Sequence, residues 1–335
     1  MKRSTHTVWL LALMSLACRG GSLEAPSSGQ STASLLVYSG RNESLIGPIL
    51  DRFGARAGIE VRVRYGDTAE MAATLFEEGV ATPADVFISQ DAASLGALSG
   101  AGLLRPLPQA VLDRVPARFR APTGDWVGLS GRARTVVYNT DRVKREELPR
   151  GLEEVTHPRY RQAFGIAPTN GSFQAHVAVY RVLHGRQATR RLLEGMAANE
   201  PGRYLKNSAI VEAVIAGEVD WGLVNHYYLW RALKENPDAP AANFTMPGSS
   251  FVNLAGAAVL SSRELAVELV EFLLSEEAQA YFAETTFEYP LVAGGPAAAG
   301  LPPLDQLASP EVDLAEVARV LPDTLSLISE SGLIR

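Results

Sequence analysis

The chain has 335 residues, 47% of them hydrophobic and 20% charged, enough to bury the core of one large domain or two medium ones. Its formal net charge is −6, which argues against a nucleic-acid or anionic-membrane partner. A single cysteine excludes an internal disulfide framework.

The first elements belong to export rather than to the fold. Lys2 and Arg3 precede an apolar run, Val8 to Leu16, that is too short for a mature transmembrane helix. Residues 1–17 therefore read as a signal peptide. The lone cysteine, Cys18, follows "SLA" directly, and "SLAC" resembles a bacterial lipoprotein processing site with Cys18 as the lipidated residue. Ordinary cleavage near Ala17 is the alternative. Residues 18–33, largely Gly, Ser and Pro, form a flexible tether.

From residue 34 onward, strands and helices alternate. "SLLVYSG" (34–40) reads as a short strand, and the apolar spacing of "ESLIGPILDRFGARAG" as a helix closed by Gly58. "IEVRVRYG" (59–66) alternates like a strand, and Asp67 with Glu70 opens a helix in capping-box fashion. "ADVFISQ" (84–90) and "AASLGALSGAGLL" continue the pattern, which argues a parallel α/β sheet. "WVGLSGRARTVVYNT" (126–140) is extended, and residues 141–225 repeat the alternation with "AFGIAPT" and "VDWGLV" as strands. "ANFTMPG" and "NLAGAAVL" are further strands, residues 262–285 read as the longest amphipathic helix, and a last helix lies near 311–320.

The pattern predicts an α/β protein of two lobes. Extended crossovers fall near 130–137 and 245–258, with lobe 1 at 34–132 and 258–308 and lobe 2 at 133–257 and 309–335. This is the architecture of bacterial extracytoplasmic binding proteins, which close on a ligand by hinge motion. In open α/β sheets, ligands sit beyond the carboxyl ends of strands. The loops after Tyr38, Tyr65, Ile88, Ile166 and Val224 are therefore expected to line the cleft.

Three of those loops carry chemistry. Arg41, in "SGRNE", offers a planar donor fork suited to an oxyanion, or is solvated beside an Asn42 cap. Asn170, Gly171 and Ser172 follow a strand and open a helix, leaving backbone N–H groups that favour an anion. After "VDWGLV" stand Asn225, His226, Tyr227 and Tyr228. At a strand-to-helix transition the alternation of sides breaks down, so the two phenols can converge. A tyrosine pair serves as core packing, as a wall for a flat ligand, or as a hard anionic pair for a hard cation such as Fe³⁺. Ionising one phenol at pH 7 costs about 4 kcal/mol, so only a strongly polarising cation offsets two. Arg132 and Arg134 lie on one side of the strand that holds them.

Over residues 34–292 the chain resembles the ferric-ion-binding proteins of bacterial ABC importers. The likeness rests on "LLVYSGRNE", "TPADVFISQDA", "AGLLRPL", "GLSGRARTVVYNTD", "IAPTNGSF", "YLKNSAIVEAVIAGEVDWGLVNHYYLWR" and "FEYPL"; the Asn-x-Tyr-Tyr stretch is its specific part. The resemblance implies Fe³⁺ as cargo on the phenolates of Tyr227 and Tyr228. It implies a synergistic phosphate or carbonate held by Asn170, Gly171, Ser172, Asn207 and Asn225. It also implies a periplasmic monomer that hands its cargo to an inner-membrane permease. Where some relatives place a His and a Glu in lobe 1, this chain has Asn42 and Gln90, with Asp91 alongside. Others add a third tyrosine near the anion loop, which "IAPTNGSFQA" lacks. A second anion on Arg41 or Arg132, or a hidden ligand among Tyr38, Tyr65 and Tyr138, would fill the gap. An organic anion such as a phosphonate or carboxylate, or an iron chelate, is the alternative cargo. No Gly-x-Ser-x-Gly, His-Glu-x-x-His, Walker loop or catalytic cysteine points to an enzyme.

Overall fold

The alternation of apolar runs and amphipathic stretches becomes a parallel sheet within the first hundred residues. The computed structural model describes residues 33–295, 304, 310, 312 and 314–334. The expected signal peptide, Cys18 and nearly all of the tether lie outside them. In chain order the elements are β1 (Ser34–Ser39), α1 (Glu43–Ala57), β2 (Glu60–Tyr65), α2 (Thr68–Glu78), β3 (Val86–Ser89), α3 (Ala92–Gly100) and α4 (Gln109–Leu112). The long β4 (Trp126–Asn139) follows, then β5 (Phe164–Ile166), α5 (Gly171–Ala198), β6 (Gly202–Arg203), α6 (Asn207–Ala216), β7 (Trp221–Asn225) and α7 (Tyr227–Glu235). The chain continues through β8 (Ala241–Phe244), β9 (Val252–Val259), α8 (Glu264–Leu273), α9 (Glu276–Glu284), β10 (Tyr289–Pro290) and α10 (Leu314–Glu330).

β1 lies between β2 and β3, parallel to both, with Val37 opposite Val63 and Val86. The sheet runs β2-β1-β3-β9-β4-β7-β5-β6, and β8 and β10 also pair with β4. β4 changes partners midway. Trp126 to Ala133 pair antiparallel with β9, whereas Arg134 to Tyr138 pair antiparallel with β7. Cores form on both sides of this exchange. One gathers Leu35, Val37, Phe87, Val127, Ala133, Val252 and Leu254, and the other Val136, Phe164, Trp221 and Phe244. Leu327 and Ile328 of α10 join the second core. Each fully buried Leu, Phe or Ile contributes roughly 1.5–3 kcal/mol relative to exposure.

Four elements depart from the sequence expectation. The 262–285 helix is two helices, because the Ser275 hydroxyl accepts from the Ala278 N–H at 3.3 Å and starts α9 afresh, with Glu276 and Glu277 in its first turn. The longest helical run is instead α5, which is itself kinked at Gly185 (φ 80°, ψ 167°), a conformation open to glycine. Asp67 occupies the N-cap position of α2, but its carboxylate bonds no backbone N–H there. The last helix extends to Glu330 rather than ending near 320.

Candidate metal and anion centre

The anion loop is built by helix starts. The Asn170 side chain caps α5 by accepting from the Ser172 N–H at 3.1 Å. Asn207 opens α6 and Asn225 ends β7. Their side chains converge on Arg134, whose Nη1 donates to Asn207 Oδ1 at 3.0 Å, to Asn225 Oδ1 at 3.1 Å and, more weakly, to Ser172 Oγ at 3.4 Å. Asn207 Nδ2 in turn donates to Asn170 Oδ1 at 3.1 Å and Ser172 Oγ at 3.3 Å. Four of the five residues expected to hold the synergistic anion are thus joined in one network; Asn170, Gly171, Ser172 and Asn225 line the cleft, whereas Asn207 and Arg134 are buried and are not among its lining residues. The centre of the network, Arg134, is only 2% exposed, and its Nε and Nη2 have no hydrogen-bond partner among the described residues. Burial pulls its pKa down to about 10, partly offset by Tyr227 and Tyr228, so it stays charged at neutral pH. A buried guanidinium with unspent donors is a strong attractor for an oxyanion.

Tyr227 and Tyr228 do share a direction. Their rings stack with centroids 4.4 Å apart and planes 29° apart. Both line the cleft, Tyr227 buried and Tyr228 partly exposed. The Arg231 guanidinium lies over both rings, 4.7 Å and 5.9 Å from their centroids. Burial pushes the Tyr228 phenol above its ordinary pKa, and the neighbouring Tyr227 adds to this as a charge and as a hydrogen-bond partner; Arg231 and Arg132 oppose it. Without a cation the Tyr228 phenol is therefore protonated at neutral pH.

The cleft has a volume of about 540 Å³. Asp67, Gln90, Asp91 and Arg132 line the same cleft. Arg132 Nη2 donates to the Gln90 carbonyl oxygen in a short contact. Arg132 Nε and Gln90 Oε1 are buried without partners among the described residues. Asp91 is spent as a cap, accepting from the Ser94 N–H at 2.8 Å. These loops are held together by Thr68, which donates to the Gly40 carbonyl at 3.3 Å and accepts from the Gln90 N–H at 3.1 Å. A Cβ at Gly40 would come within 2.7 Å of the Thr68 Cα, so glycine is required for this approach.

Arg41 is not brought into this cleft. Its Nη2 donates to both carboxylate oxygens of Glu288 at 3.0 Å, and its Nη1 donates to Ser130 Oγ at 3.2 Å, with both charged residues fully buried. Asn42 caps α1 through the Ser44 N–H at 3.0 Å and does not line the cleft. Tyr38 is buried with its hydroxyl on Glu78 at 3.0 Å, and Tyr65 and Tyr138 pack against the two cores. Among the described residues no group of three His, Cys, Asp or Glu is placed to hold a metal. Asp67 lines the cleft, as expected of the loop after Tyr65, whereas Asn253 and the α10 residues Val317 and Leu321 were not expected there. The α10 residues carried no signal, because only tertiary packing brings that helix to the cleft.

A two-lobe α/β fold with its polar site in a cleft at the carboxyl ends of the strands defines a solute-binding protein. Residues 81–312 match the family described as bacterial extracellular solute-binding protein. The chain is 34% identical over 299 residues to the major ferric iron-binding protein of Neisseria meningitidis, covering 85% of this chain and 89% of that one. Iron-bound HitA from Pseudomonas aeruginosa superposes with a TM-score of 0.81 at 31% identity, over 89% of this chain and 99% of HitA. The Trichodesmium protein IdiA (FutA), solved with iron and citrate ligands, gives 0.78 at 28% identity over 90% and 99%. The chain belongs to the bacterial extracellular solute-binding proteins, among the periplasmic ferric-ion-binding members of that family. It is a transport family and not a family of enzymes. Among the described residues no helix is long and apolar enough to cross a membrane.

Proposed function

We propose that the protein is an extracytoplasmic receptor that binds Fe³⁺ through the phenolates of Tyr227 and Tyr228 together with a small anion, and delivers it to an ABC permease in the inner membrane. The observation that carries this reading is the stacked phenol pair beside Arg134, whose Nε and Nη2 have no partner among the described residues. A ferric ion replaces the two phenolic protons and leaves one positive charge. Phosphate or carbonate on Arg134, Asn170, Gly171, Ser172, Asn207 and Asn225 balances it and fills further coordination positions. Arg132, with Gln90 beside it, supplies a second anion contact in the same cleft. Export by residues 1–17, lipidation of Cys18 and a monomeric receptor on a flexible tether complete the proposal. The separate cores support placing one lobe at 34–133 and 252–295 and the other at 134–251 and 314–334, which moves the second boundary from 258 to the start of β9.

A second reading has one observation in its favour. One stretch of the cleft wall offers an arginine, Arg132, and an amide, Gln90, with Asn42 and Arg41 engaged elsewhere. That wall suits an organic anion or an iron chelate that brings its own ligands. Calorimetry separates the two. On the ferric reading, phosphate, carbonate and citrate bind tightly only when Fe³⁺ is present. Tight binding of any of them to metal-free protein would instead establish an anion receptor.

A further inference from the structure

The residue between the anion network and the tyrosines is His226, and every polar group it has is spent on other segments. Its backbone N–H donates to the Ala133 carbonyl at 3.0 Å, and its Nδ1 accepts from the Ala133 N–H at 3.0 Å. Ala133 is the residue at which β4 leaves β9 and takes up β7. Because Nδ1 accepts from a backbone N–H, the ring proton sits on Nε2, which donates to the Phe287 carbonyl at 2.7 Å. The His226 carbonyl accepts from Asn243 Nδ2 at 2.9 Å. Phe287 has φ 58°, a left-handed conformation rare for a bulky side chain. It is fixed by its neighbour Glu288, whose carboxylate holds Arg41 and whose N–H donates to the Phe282 carbonyl at 2.9 Å. β10 then pairs Tyr289 with Gly131 of β4. One imidazole thus bolts together the exchange point of β4, the segment that enters β10, and the first turn of the helix that carries both phenols.

We propose that His226 is a positioning residue that couples the tyrosine pair, through the Phe287 carbonyl, to the half of the sheet that carries β10, so that movement of the halves is felt at the phenols. The inference rests on the ferric reading of the site. Interfaces of this kind transmit small shifts because their packing has discrete arrangements.

Two substitutions split the two ring contacts. In His226→Asn the side-chain oxygen takes the place of Nδ1 and keeps the Ala133 N–H satisfied, but nothing reaches Phe287. In His226→Gln the amide nitrogen takes the place of Nε2 and restores the Phe287 link, while the Ala133 N–H loses its acceptor. With Fe³⁺ and phosphate as probe, His226→Asn is expected to release iron to EDTA about tenfold faster than wild type, the size of one lost buried hydrogen bond. His226→Gln, the rescuing variant, melts at lower temperature yet releases iron like wild type. An unchanged rate in His226→Asn overturns the proposal, and so does equal acceleration in both variants in step with their melting temperatures. A wild type that takes up no iron refutes the underlying reading instead, before any variant is compared. If neither variant folds, the wild-type His226 Nε2–H resonance decides: it shifts on loading with diamagnetic Ga³⁺ and phosphate, and an unmoved resonance overturns the coupling.

Discussion

Arg134 and Asn225 are register partners across β4 and β7, and Arg134 Nη1 stands 3.1 Å from Asn225 Oδ1. The last residue of one strand is thereby tied to a buried guanidinium that bonds the anion loop and interacts with both tyrosines. Arg134→Met keeps much of the volume and removes the charge and the two unpartnered donor atoms. A charge-assisted hydrogen bond contributes about 1.5–3 kcal/mol. The affinity for Fe³⁺ in phosphate is expected to fall about 10- to 100-fold in a chelator competition. Wild-type affinity in this variant would remove Arg134 from the anion site.

The Arg41–Glu288 pair is structural. Burial alone raises the Glu288 pKa, but Arg41, Arg132 and the Ser130 hydroxyl together outweigh it and hold the carboxyl below its ordinary 4.5. The stabilisation is therefore complete above the unfolded value and is lost as pH falls through the lower folded one. Glu288→Gln leaves Arg41 buried without its counter-charge, and breaking such a pair costs about 3–5 kcal/mol. Urea denaturation at pH 7 is expected to show that loss, with the gap to wild type narrowing as the medium is acidified below the carboxylate range.

His176 gives a second pH signature, at a higher range. Burial, with the nearby Arg134 charge, pulls its pKa down to about 3, although its ring nitrogen bonds the Ser249 carbonyl at 2.7 Å. The unfolded chain binds this proton below about pH 6.5, whereas the folded one does not until about pH 3. Stability of the cargo-free protein therefore falls as pH drops across that window. His226, held neutral down to about pH 4 chiefly by burial, contributes in the same sense. His176→Gln is expected to remove about half of the slope between pH 6.5 and 4 in thermal denaturation.

What the sequence revealed was local, and what it hid was distant. The strand-turn-helix punctuation around Asn170 and the strand end at Asn225 are written in consecutive residues, so these two positions were readable, whereas Asn207 entered only through the family resemblance. The convergence of Tyr227 and Tyr228 followed from their place at the end of a strand. The break at Ser275 was also written locally, as a serine before two glutamates, but the apolar periodicity on both sides masked it. Arg41 is different, because its partner Glu288 lies 247 residues away and no local pattern links them. The same holds for His226, whose acceptor Phe287 comes from another part of the chain, and for Arg132 and Arg134. Their common side was readable from alternation, but their separate partners were set by tertiary packing.

The central claim is that two adjacent phenols lose their protons to one ferric ion. The direct measurement is the visible absorption of purified protein titrated with Fe³⁺ in phosphate or carbonate, for wild type and Tyr227→Phe. A phenolate-to-iron charge-transfer band that saturates at one iron per protein, and is mostly lost in Tyr227→Phe, is the predicted result. A wild-type protein that stays colourless under both anions, or a band that survives intact in Tyr227→Phe, would contradict the account.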